Sequence, residues 1–259
     1  MITQSLKSFL CRCLLALVLW PVVNGCTVKF YYNQLDWLIP WRLESYMSLN
    51  DDQRRLLEQS LSQQLRWHRD TQLPAYANWL RQLGDDLQDG LEPGELDRHE
   101  AVLEGYWQLL LNQFAPDLGR LLALATDAQV ADLFANLEEN NREYRQEYVA
   151  LPAAELRRKY AEFATEELKR WLAEVTPEQE QLIARWLEKM EVITPERLQY
   201  RQQWQQRLRE LLAKRRDRDS FMAAFQQFFQ SPERDRPAEY QRKFDHNQAV
   251  FKAFALALD

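Results

Sequence analysis

The sequence predicts an all-α protein, a single elongated domain of about eight to ten helices behind a cleaved signal peptide. Three observations predict it. Glycine is scarce, with six in 259 residues and none beyond Gly119. Sheet and Gly-rich nucleotide folds of this size need tight turns and closely approaching backbones, so both are disfavoured. From residue 33 onward apolar side chains recur at helical spacing, and one helix-start signature repeats along the chain. Hydrophobic residues make up 46% and charged residues 28%, enough apolar material for a core and too much for wholesale disorder. The net charge of −6 disfavours a nucleic-acid partner.

Residues 1–25 stand apart. Lys7 and Arg12 form a basic start, the run Cys13–Trp20 is apolar, and Pro21 ends it. That layout is a secretory signal, too short to span a bilayer comfortably. Val23-Asn24-Gly25-Cys26 resembles the bacterial lipobox. The resemblance implies lipid transfer to the Cys26 thiol, cleavage after Gly25 and acylation of the new N-terminus by a palmitate-type chain. Such chains contribute roughly 0.8 kcal/mol per buried CH₂. Residues 26–32 then read as the lipidated N-terminus and a short tether, and residues 33–259 as the helical domain. Thr27 after the lipidated position implies sorting to the outer membrane, on its periplasmic face. Cys11 and Cys13 leave with the signal, so no mature disulfide is expected. Losing Lys7 and Arg12 takes the charge from −6 to −8, so lipid and not electrostatics would hold the protein to the membrane.

The helices follow from their start signals. Asn33 with Asp36 is expected to cap a short first helix carrying Leu35, Trp37, Leu38 and Trp41. Asn50-Asp51-Asp52-Gln53, Thr126-Asp127-Ala128-Gln129 and Thr176-Pro177-Glu178-Gln179 read as capping boxes, and Thr194-Pro195-Glu196 as a weaker copy. Between them run four stripes. Leu57, Leu61, Leu65 and His68 form the first, and Val130, Leu133, Leu137, Tyr144 and Tyr148, interrupted at Asn141, the second. Leu156, Tyr160, Phe163, Trp171 and Val175 make the third, and Ile183, Trp186, Leu187 and Met190 the fourth. Phe221, Phe225 and Phe228, then Phe244, Phe251, Phe254 and Leu258, mark two closing helices. Breaks are expected near Gly84–Gly94, Pro116, Leu151-Pro152, Val192–Pro195 and Ser231–Pro237.

Assembled catalytic groups do not emerge. His68, His99 and His246 lack metal-ligand spacing, so no metal and no cofactor is expected. No nucleophile elbow or phosphate loop occurs. Glu138, Glu139, Glu143 and Glu147 read as a solvated face. The run Arg207, Arg209, Lys214, Arg215, Arg216, Arg218 near Tyr200 and Trp204 reads as a solvated helix face, with contact to an acidic envelope component as the alternative. The densest unusual stretch is aromatic: Phe30-Tyr31-Tyr32-Asn33, Asp36-Trp37, Trp41, Trp67-His68-Arg69 and Leu73-Pro74-Ala75-Tyr76. Its aromatics either lock the N-terminal segment onto the second helix or line a binding groove, which makes Asp36, Trp37, Trp41, Trp67 and His68 the candidate binding residues.

Those same motifs, with Leu49-Asn50-Asp51-Asp52-Gln53, resemble a family of Gram-negative lipoproteins known only as a domain of unknown function. The resemblance implies export, lipidation and an all-helical body, and brings no catalytic residues. Pro40 departs from that pattern and predicts an interrupted first helix. Val175-Thr176-Pro177-Glu178-Gln179 also resembles the Leu-Thr-x-x-Gln motif of small periplasmic stress chaperones, although capping explains the same residues. The expected function is binding of envelope proteins or components as a scaffold or accessory factor, without a small-molecule substrate. A chaperone-like cradle is the alternative, and a peptidoglycan-directed enzyme a third.

Overall fold

The computed structural model describes residues 26–258 apart from 89, 91, 172, 173 and 231–235, so the expected signal segment lies outside the described residues. The chain is all-helical, and no strand occurs among the described residues. In order come α1 (Cys26–Tyr32), α2 (Leu35–Glu44), α3 (Asp51–Trp67), α4 (Leu73–Asp86), α5 (Pro93–Ala123) and α6 (Asp127–Tyr144). Then follow α7 (Ala153–Trp171), α8 (Pro177–Lys189), α9 (Thr194–Ala213), α10 (Arg218–Gln230) and α11 (Ala238–Ala255). One π turn, His68–Gln72, joins α3 to α4, and another, Arg145–Val149, extends α6. The stretch after Cys26, expected as a tether, is helical as α1.

Local chemistry explains most boundaries. Asn50, Thr126 and Thr176 each form the reciprocal capping box with the Gln three residues on: Gln53 N–H donates to Asn50 Oδ1 at 2.9 Å, and Asn50 N–H to Gln53 Oε1 at 3.0 Å. Three expectations fail. Asn33 caps nothing, because α2 starts after Gln34 without a side-chain cap. Thr194 is the first helical residue of α9, and its hydroxyl donates to the Tyr148 carbonyl at 3.3 Å. Pro40 and Pro116 lie inside continuous helices, so neither breaks the chain. A proline removes one intrahelical bond, and the surrounding turns of α2 and α5 carry the helix past it. Pro74 acts differently. It falls two residues after the first π turn, where Leu73 N–H reaches back five residues to the His68 carbonyl and Thr71 Oγ1 donates to the Trp67 carbonyl at 2.7 Å. The wider turn accommodates the ring at a point where an α turn would crowd it.

Two compact units divide after Ser62, inside α3. In the first, Met47, Leu49 and Leu61 are buried, and Arg54 of α3 pairs with Glu44 of α2 at 2.7 Å. In the second, α10 lies along α5, α9 packs on α6, α10 and α11, and α8 packs between α7 and α11. Ile183, Leu187 and Phe254 centre one apolar cluster, filled out by Tyr160, Leu168, Trp186 and Leu258. Phe221 and Phe225 are fully buried on α10. Phe163, expected on the inner stripe of α7, is 65% exposed. A mostly polar helix with a narrow buried stripe has room for Leu156 and Tyr160 but turns Phe163 past its edge.

Gly119 sets the distance between α5 and α10. A Cβ at that position would lie 3.0 Å from Phe225 Cδ1 and 3.1 Å from Met222 Sδ. Gly119→Val is therefore expected to cost about 1–3 kcal/mol through overpacking, read as a lowered denaturation midpoint. An unchanged midpoint would show that the two helices can separate without loss.

Candidate functional site

The N-terminal aromatics are presented outward. No residue of α2 is buried. Trp37 and Trp41, four apart on one face, stack at 6.0 Å with planes 14° apart and stay 60% and 57% exposed. With Asp36, Glu44, Arg54 and Glu58 they border an open cavity of about 540 Å³. The structure thus brings Asp36, Trp37 and Trp41 together, with the two tryptophans largely unburied. Phe30 and Tyr31 on α1 are also exposed and meet edge to face at 5.9 Å.

Trp67 and His68 belong to a different set of rings. Trp67 meets Phe114 edge-on at 6.5 Å, and His68 meets Tyr76 at 5.5 Å, which in turn meets Tyr106 at 4.7 Å. Burial pushes the His68 imidazole below its ordinary range. Its place on the π turn aims it into this ladder.

His99 is buried between two partners. Trp79 Nε1–H donates to its Nδ1 at 3.1 Å, which makes Nε2 the protonated nitrogen facing Asp86 Oδ2 at 2.9 Å. Both ring nitrogens are engaged, so the imidazole clamps α4 to α5 and offers no lone pair to a substrate. Among the described residues no three His, Cys, Asp or Glu side chains come together as metal ligands.

The basic run after Trp204 is not a uniform solvated face. Arg215 is buried at 6% exposure: its Nε donates to the Ala125 carbonyl at 2.7 Å, its Nη1 to the Leu212 carbonyl at 2.8 Å, and its Nη2 to Asp127. The loop after α5 and the last turn of α9 present carbonyls to it, and one guanidinium reaches both. Arg209 lays its guanidinium 4.0 Å above the Phe134 ring.

A further constellation was not singled out from the sequence. Arg197, Tyr200, Arg201 and Trp204 share one face of α9, at spacings of three and four. With Tyr144 at the end of α6 and Tyr240 of α11 they line a cleft of about 490 Å³. Tyr200 stacks on Tyr240 at 5.4 Å, Trp204 stacks on Phe228 at 4.8 Å, and the Arg197 guanidinium lies 6.0 Å from the Tyr144 ring. Burial raises the Tyr144 phenol above its ordinary range, and Arg197 partly offsets it. The i, i+3, i+4, i+7 alternation of arginine and aromatic residues is the signal that could have found this face. It reads as an ordinary surface until α6 and α11 wall it in.

A family model described as a family of unknown function (DUF6279) matches residues 45–241. The chain belongs to that family. The matched span holds Trp67, His68 and every residue lining the α9 cleft, while Cys26, Trp37 and Trp41 precede it. No curated protein and no solved structure matches the chain. No helix among the described residues is long and apolar enough to cross a membrane.

Proposed function

We propose that this protein is a lipid-anchored, periplasm-facing helical protein of the outer membrane. It is tethered through Cys26 and acts by binding as a scaffold or accessory factor, without catalysing a reaction. The observation that carries the reading is the exposed aromatic cluster close behind Cys26. Phe30, Tyr31, Trp37 and Trp41 fall within a short stretch and expose 62%, 58%, 60% and 57% of their surface. Tyr and Trp rings favour the headgroup layer, where the ring is shielded and its N–H or O–H stays wet. Lys29 precedes the cluster in the sequence, as expected of a side chain that reaches for lipid phosphates.

Other features agree. The half-buried carboxylates Asp86, Asp117 and Glu196 are ion-paired with Arg98, Arg120 and Lys243, and Asp86 also meets His99 Nε2. That supports binding over acid–base work on a glycan, which needs an unpaired acid in a dry cleft. The Thr126/Gln129 and Thr176/Gln179 pairs serve as capping boxes, so their likeness to chaperone motifs lends no separate support to a cradle.

The test is Cys26→Ser in intact Gram-negative cells supplied with labelled palmitate. The parent chain is expected to take up label and fractionate with the outer membrane, and the variant to lose the label and keep its first residues uncleaved. Equal labelling of both chains, or label in neither, would overturn the anchor.

A further inference from the structure

We infer that the cleft formed by Tyr144, Arg197, Tyr200, Arg201, Trp204 and Tyr240 is a binding site for an apolar peptide segment carrying a carboxylate. This deepens the binding reading by naming a ligand class. It does not require the anchor, because the cleft lies wholly on α6, α9 and α11.

Charge pairing makes the first argument. Acidic residues outnumber basic ones, 39 to 33, and several cations of this unit pair with them. Arg98, Arg120, Arg142, Lys159, Arg242, Lys243 and Lys252 all hold carboxylates. Among the described residues Arg197 and Arg201 do not, although they sit one turn apart and border the same cleft. The neighbouring Glu196 is already engaged, with Lys243 donating to it at 2.6 Å. The site therefore presents two guanidiniums without a counter-charge, against aromatic walls that strengthen any ion pair formed there.

Shape makes the second. Arg197 and Tyr240 also border a second cleft of about 430 Å³, whose walls include Met190, Ile193, Phe244 and Phe251. Apolar walls thus lie beside Arg197, where side chains flanking a bound carboxylate can be buried. Trp, Tyr and Arg are also the residue types that dominate binding energy at peptide and protein interfaces.

A glycan fits less well. Sugar hydroxyls call for acceptors, and the first cleft offers guanidinium donors and phenols with no carboxylate lining it. Its rings are also committed to one another: Tyr240 is 8% exposed and stacked on Tyr200.

The experiment is calorimetric titration of the purified full-length protein in detergent. The probes are a blocked hexapeptide alternating Leu and Glu, its Leu/Gln twin, and a muramic-acid-containing glycan fragment. The acidic peptide is expected to bind at least tenfold more tightly than its neutral twin at low salt. That preference should shrink as salt is raised and vanish in Arg197→Met/Arg201→Met, with the helical signal and melting temperature of the variant unchanged. Equal binding of the twins, binding of neither, a preference that survives in the double variant, or arginine-dependent binding of the glycan alone would each overturn the inference. None of these results bears on Cys26, whose labelling is measured separately.

Discussion

Replacing Arg215 with alanine is expected to lower the unfolding free energy by about 3 kcal/mol, among the largest losses available to a single polar substitution here. The guanidinium is 6% exposed and donates to the carbonyls of Ala125 and Leu212 as well as to Asp127. Truncation leaves the Ala125 carbonyl without this donor, removes the side-chain bonds to Leu212 and Asp127, and opens a void beside the end of α9. Arg215→Lys should recover little, because an ammonium on a flexible stem cannot address three acceptors in one plane. Urea denaturation of both variants checks this, and a loss below about 1 kcal/mol in the alanine variant would count against the assigned role.

The same substitution carries a pH signature. The hydrogen bond from Arg215 first, then the charges of Arg216 and Arg215, hold the Asp127 carboxyl below its ordinary range. A depressed carboxyl adds stability above its unfolded pKa and loses that stability as pH falls through the folded value. The parent chain should therefore lose this contribution on acidification below about pH 4, and Arg215→Ala should show a shallower dependence there.

The second large effect is expected at Asn141. It is fully buried, donates its Nδ2–H to Gln205 Oε1 at 2.7 Å, and accepts from Gln205 Nε2 at 3.3 Å. Asn141→Leu strands a buried amide on α9 and should cost about 2–3 kcal/mol. Gln205→Leu in the same background should restore much of that loss, because removing both partners avoids the desolvation penalty that one orphan carries. A double variant no better than the single would mean that the apolar replacements fit poorly and the amide pair is not the source.

This pair also shows where sequence reasoning stopped. The stripe from Val130 to Tyr148 was readable by period, and Asn141 stood out as its interruption. Its shorter bond goes to Gln205, 64 residues away on α9, which no local pattern reveals. Arg215 has the same history. Its neighbours Lys214 and Arg216 are exposed, and only the arrival of Ala125 and Asp127, about 90 residues earlier, turns it inward. The α9 cleft is a third case, because four residues of one helix become a site only when Tyr144 and Tyr240 close the sides.

What the amino-acid order determined by itself is the helical class, the capping boxes at Asn50, Thr126 and Thr176, and most stripes that face a core. Those features depend on atoms three or four residues apart, whose separation a helix turn settles before any packing occurs. Tertiary structure alone decided that Trp37 and Trp41 stay exposed, that Phe163 turns outward, and that Arg197 and Arg201 border a cleft without a counter-charge among the described residues. Exposure and pairing depend on which distant helix arrives against a given face, and a periodic pattern gives each helix an inner side without specifying its neighbour.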